Sequence, residues 1–149
     1  MRQKKLQVSF MPANNEDIQL IFAQSKALVD TYENTAAIPY DKVMHWLEEK
    51  IRQNISEYVK VCMDNETVGF YRLSNTDGET ELDDFYILPA FRGQGIGTEV
   101  LKKCILEANA PMFLYVFKKN EGAIRLYKRF GFEPAQDVSE SRMILRREG

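Results

Sequence analysis

Leu6, Val8 and Phe10 alternate with polar neighbours, which predicts a strand over Leu6–Met11 that Pro12 ends. The period then lengthens. Ile18, Ile21, Phe22, Leu28 and Val29 lie on one stripe of a helix from about Glu16 to Asp30. Thr31–Tyr40 keeps no period and contains Pro39, so it reads as a connector. Asp41 is placed to cap a second helix, whose apolar face is Val43, Trp46, Leu47 and Ile51 with the Lys50 stem on its flank.

Strand-type runs follow at Tyr58–Met63 and Thr67–Leu73, joined by the polar hairpin turn Asp64-Asn65-Glu66. Asn75-Thr76-Asp77-Gly78 is a second turn, and Thr80–Leu88 a third strand, stopped by Pro89. A glycine-rich turn, Arg92–Gly97, runs straight into a helix with Ile96, Val100, Leu101, Cys104, Ile105 and Ala108 on one face, bounded by Pro111. Met112–Phe117 is a continuous apolar run, expected to be a strand buried on both faces. Asn120–Phe130 reads as a last helix ended by Gly131, and Phe132–Gln136 and Val138–Leu145 as final strands. The expected order is βααβββαβαββ, an α/β (α+β) chain.

The 149 residues suit one domain, 1–149, with a core large enough to need no disulfide or metal. Twenty Lys plus Arg against 22 Asp plus Glu give a net charge of -2, which offers no general attraction to nucleic acid or anionic membrane. Cys62 and Cys104 stand apart and form no framework, and one histidine, His45, makes a metal site unexpected. Both cysteines read as small buried apolar residues, and His45 as solvent-exposed. No apolar run is long enough to span a membrane, and the basic start lacks the apolar stretch of a signal peptide. The expectation is a reduced, cytoplasmic protein.

The chemistry concentrates in Ile87-Leu88-Pro89-Ala90-Phe91-Arg92-Gly93-Gln94-Gly95-Ile96-Gly97-Thr98. A strand, a glycine-rich turn and a helix start bring free N–H groups and the helix dipole together, which makes an anion site. The Walker pattern is absent, and a dinucleotide GxGxxG fails at Thr98 or at Val100.

Arg92, Gly95 and Gly97 instead fit R/Q-x-x-G-x-G/A, which closely resembles the pyrophosphate-binding motif of the GNAT N-acetyltransferase superfamily. A second stretch, Asn120-Glu121-Gly122-Ala123-Ile124-Arg125-Leu126-Tyr127-Lys128-Arg129-Phe130-Gly131-Phe132, resembles the same family's N…A…LY…GF signature. The specific resemblance covers about Thr80–Phe132; the front third agrees in layout only.

The resemblance implies a mixed, mostly antiparallel sheet with splayed central strands and acetyl-CoA held between them. It assigns pantetheine pairing to the backbone of Phe85, Tyr86 and Ile87, and pyrophosphate binding to Arg92, Gly93, Gln94, Gly95, Ile96, Gly97 and Thr98. Asn120 would position the cosubstrate or cap its helix, or do both. Tyr127 would protonate the departing thiolate, against the alternative that it only packs beside Ile124 and Phe130.

For the general base the alternatives are Glu81 and Asp83. Strand alternation puts both on the side of Phe85 and Ile87, with Asp84 opposite, unless a β-bulge reverses the parity. With Asp77, Glu79 and Asp84 they make an acidic stretch suited to a cationic amine acceptor, a small molecule or a peptide. Tyr32, Tyr40, His45 and Trp46 are candidates to line that acceptor site. Neither signature holds a cysteine that would carry an acyl group, so direct attack in a ternary complex is expected. A non-catalytic acyl-CoA-binding module of the same fold is the alternative, and a homodimer stays open.

Overall fold

A computed structural model describes residues 7–108 and 111–149. Strands β1 (Ser9–Pro12), β2 (Tyr58–Met63), β3 (Glu66–Thr76), β4 (Glu79–Ile87), β5 (Met112–Phe117), β6 (Glu133–Asp137) and β7 (Arg142–Arg147) form one sheet, in the order β1-β2-β3-β4-β5-β7-β6. Helices α1 (Ile18–Tyr32) and α2 (Tyr40–Gln53) cover one face. The other face carries α3 (Ile96–Ala108) and α4 (Glu121–Arg129). All pairings are antiparallel except β4 with β5. The element order matches the expected one. No helix among the described residues is long and apolar enough to cross a membrane.

Several boundaries differ for local reasons. Leu6 lies outside the described residues, and Pro12 is the last residue of β1, opposite Val59, rather than its stop. The strand lies at the sheet edge, where proline's missing N–H removes no ladder bond. Asp41 does not cap α2; it sits inside the first turn, where its charge still suits the helix dipole. The hairpin turns are tighter than expected. Asp64 (φ 49°) and Asn65 (φ 64°) make one, and Asp77 (φ 51°) and Gly78 (φ 79°) the other. Two consecutive positive φ values match the twist of paired strands, so Glu66 and Asn75 are released into β3.

Strand β5 is buried on one face only. Met112, Leu114 and Val116 sit in the core under α3 and α4, whereas Tyr115 is 47% exposed. Its pattern is continuous but its cover is not, because α1 and α2 pack over β2–β4 and leave the β5 side open.

One irregularity sets the rest. Phe70 pairs with Tyr86 and Arg72 with Asp83, so Tyr71 alone faces both Asp84 and Phe85. This is a β-bulge, and Asp84 takes φ 47° within it. Just beyond, β3 and β4 approach so closely that a Cβ on Gly69 would collide with the Tyr86 carbonyl oxygen. Gly69→Ala should therefore cost about 1–3 kcal/mol, the usual range for overpacking, read from urea unfolding. An unchanged midpoint would mean that the strand pair relaxes freely.

Candidate active site

Strands β4 and β5 pair only at Thr80↔Met112 and Glu81↔Phe113, with Thr80 N–H bonded to the Pro111 carbonyl at 2.9 Å. Beyond those pairs they diverge, as the splay expectation required. The gap opens a groove of about 1430 Å³ that passes through the sheet between the two helical layers.

At one end lies the glycine turn. Gly93 (φ 79°) and Gly95 (φ 82°) both occupy the left-handed region, which lets the chain reverse into α3 at Ile96. Arg92, Gly93, Gly95, Ile96 and Gly97 line the groove, whereas Gln94 and Thr98 do not. The Arg92 Nε–H bonds to the Ile87 carbonyl at 3.0 Å, which ties the turn to the end of β4. At Gly97 a Cβ would make only ordinary contacts, 3.6–3.8 Å from Leu126, Ile87 and Phe85.

The bulge decides which way β4 points its side chains. After it, Phe85 and Ile87 pack toward α3 and α4, and the Tyr86 hydroxyl reaches α1, donating to the Gln24 carbonyl at 2.6 Å. Simple alternation is overturned at two places. Phe85 and Ile87 leave the side of Glu81 and Asp83, and Asp84 joins it.

On the α3–α4 side, Tyr127 is buried with its ring against Phe85 (6.2 Å) and edge-on to Phe132 (5.7 Å). Its hydroxyl has no hydrogen-bond partner among the described residues. Burial pushes this phenol well above the ordinary range, so it keeps its proton at neutral pH. Asn120 caps α4, its side-chain oxygen accepting from Ala123 N–H at 3.3 Å, and it also lines the groove.

On the α1–α2 side the carboxylates gather. Lys50 Nζ lies 3.1 Å from Asp83 Oδ2 and 3.3 Å from Asp84 Oδ2. Arg72 Nη1 is 3.2 Å from Asp83 Oδ2. Asp84 also accepts from the Tyr58 hydroxyl at 2.5 Å and from the Ser25 hydroxyl at 3.2 Å. Burial, reinforced by Asp83, raises the Asp84 pKa; Lys50 and Tyr58 oppose the rise. Burial works against the Lys50 ammonium, but Asp84 and Asp83 outweigh it and hold its pKa above the usual value. Glu81 has no ion-pair partner among the described residues. Burial first, then the Asp83 charge, pushes its pKa up to about 6.

Of the expected lining residues, Tyr32 and Trp46 do face the groove. Tyr32 stacks on Phe117 of β5 at 5.9 Å, and Trp46 is 60% exposed rather than part of the α2 core face. Tyr40 instead bonds Asp30 at 2.7 Å, and His45 is exposed and off the groove. Cys62 and Cys104 are buried, and burial pushes the Cys104 thiol up to about 12.

Sequence reasoning missed Lys50, Tyr58 and Arg72, and put Asp84 opposite Glu81 and Asp83 unless a bulge intervened. The Asp83-Asp84 doublet was the available signal, since Asp tolerates positive φ better than most residues. Nothing local pairs it with Lys50, which is 33 residues away.

Comparison with known proteins places the chain. A model of the acetyltransferase (GNAT) family matches residues 23–132. A spermine/spermidine N(1)-acetyltransferase of Bacillus subtilis (strain 168) is 30% identical, in an alignment covering 67% of this chain and 87% of that protein. A thialysine N-epsilon-acetyltransferase of Mus musculus is 44% identical, but over 40% of this chain and 36% of that protein. In fold, the chain is similar to the PaiA N-acetyltransferase of Thermoplasma acidophilum, solved in complex with coenzyme A. The TM-score is 0.72 at 17% identity, covering 97% of this chain and 100% of that chain.

Loss of the hydroxyl that holds Asp84 should be felt throughout this site. Tyr58→Phe should lower stability by about 1.5–3 kcal/mol, the range for a hydrogen bond to a charged group. Urea unfolding at neutral pH reads this directly; no change would mean that water or Lys50 replaces the phenol.

Proposed function

The chain belongs to the acetyltransferase (GNAT) family, and on that premise we propose that it moves the acetyl group of acetyl-CoA onto a primary amine by direct attack in a ternary complex. The acceptor is a small molecule or a peptide carrying an ammonium group. Its class is supported by the polyamine and thialysine named for the two relatives, and by the acidic wall of the groove.

One observation carries the reading. A single groove joins a glycine-rich turn at a helix start, an unpaired strand edge, a buried phenol and a half-buried carboxylate with no ion-pair partner among the described residues. The turn supplies N–H groups for a pyrophosphate, from Arg92, Gly93, Gln94, Gly95, Ile96, Gly97 and Thr98. Gln94 and Thr98 stand off the groove, so their share would be confined to the backbone. The free edge of β4 at Phe85, Tyr86 and Ile87 accepts the pantetheine arm as an added strand. Asn120 fixes the start of α4 and thereby Tyr127, two turns further on.

Glu81 is the base. Asp83 stands second, because Lys50 and Arg72 already hold its oxygens. Glu81, ionised above about pH 6, takes a proton from the acceptor ammonium. The freed nitrogen bonds to the thioester carbon, the carbon–sulfur bond then breaks, Tyr127 gives its proton to the departing sulfur, and the nitrogen's surplus proton restores the Tyr127 phenol as the neutral amide forms.

Two substitutions separate these roles. Tyr127→Phe should lower turnover by about 10²–10⁴-fold, the range for general acid–base catalysis, while calorimetry finds acetyl-CoA affinity unchanged. Full turnover would remove Tyr127 from the mechanism. In the wild type, kcat/KM should rise with pH and level off above about 6, as Glu81 loses its proton. Glu81→Gln should abolish that limb and most of the rate; a limb that survives would assign it to another group.

A further inference from the structure

We propose that Lys50 occupies the seat that a second ammonium group of an acceptor would take, and so selects amines with one cationic centre on an apolar body. The inference rests on the groove being the acceptor site, and it sets this chain apart from the two relatives, whose named acceptors carry more than one amino group.

Two carboxylates and an aromatic ring around one point form a receptor for an organic ammonium. The groove contains such a receptor, and the chain fills it. Lys50 Nζ sits 3.1 Å from Asp83 Oδ2, 3.3 Å from Asp84 Oδ2 and 5.4 Å from the centre of the Trp46 ring. The Lys50 and Asp84 side chains are 17% and 11% exposed, so bulk water does little to screen the pair. Vacating the seat would strand buried charge, which makes Lys50 a poor leaving occupant.

The pairing agrees. Lys50 holds Asp83 and Asp84, and Arg72 is shared between Asp83 and Glu57, whereas Glu81 has no ion-pair partner among the described residues. A first ammonium has Glu81 free to receive it, whereas a second at Asp83 or Asp84 would meet the Lys50 charge at close range.

Spacing identifies the excluded ligand. Glu81 and Asp83 are two residues apart on one face of β4, or ~7 Å, which is the span of a five-carbon diamine. Leu28, Ile38, Val43 and Leu47 also line the groove and offer contact to an apolar body.

The test compares pentylamine with 1,5-diaminopentane. Wild-type protein should show at least tenfold higher kcat/KM for pentylamine. Lys50→Met opens the seat and should reverse the preference. The same diamine should raise the melting temperature of Lys50→Met and leave that of the wild type unmoved. In Lys50→Met/Asp84→Asn the receptor loses a carboxylate, and the diamine should lose its gain. A wild type that uses the diamine as well as pentylamine overturns the inference, as does a ratio unmoved by Lys50→Met. If that variant does not fold, Lys50→Gln and the wild-type ratio decide the matter. The melting shifts need no acetyl-CoA, so they decide the role of Lys50 even if calorimetry finds no cosubstrate binding and the proposed activity falls.

Discussion

The extra residue in β4 is the constraint on which the rest of the site depends. A strand that kept its alternation would send Phe85 and Ile87 to the α1–α2 face and Asp84 to the α3–α4 core. The bulge at Asp84 and Phe85 reverses this: aromatic and aliphatic side chains enter the core beside Tyr127, and a third carboxylate turns into the groove. It also strengthens the local twist, which carries the end of β4 away from β5. A non-glycine residue at φ 47° is a strained choice. Asp84 is held there by a phenol, a hydroxyl and an ammonium, from β2, α1 and α2.

That dependence explains what could be read in advance. The turn from Arg92 to Gly97 and the α4 signature with Tyr127 are local patterns, and local patterns survive translation into structure. The element order was legible for the same reason. Periodicity marks each helix and strand without reference to its neighbours. The bulge was named only as an alternative, because one inserted residue leaves no periodic trace in a strand of nine.

What escaped was long-range. Lys50 read as a stem on the flank of an apolar stripe, and Trp46 as part of that stripe. Whether α2 turns them to the core or to the groove depends on where β4 lies, and the bulge fixes that. Continuous apolar character in β5 suggested cover on both faces, but cover belongs to the neighbouring helices. Local acidic composition likewise overstated the negative charge, since its neutralisation comes from Lys50 on α2 and Arg72 on β3.

The two residue pairs that join β4 to β5 divide the seven strands unequally, four on one side and three on the other. Hydrogen-bond cooperativity runs within each group and is nearly cut between them. Tyr32 stacked on Phe117, the Glu79–Arg146 ion pair and the packing of α3 and α4 help to hold the seam. An extended molecule that bonds to the bare edge of β4 completes a ladder that the chain leaves unfinished. Such a gain would be registered on both sides of the seam, as slower amide exchange in strands that the molecule never touches.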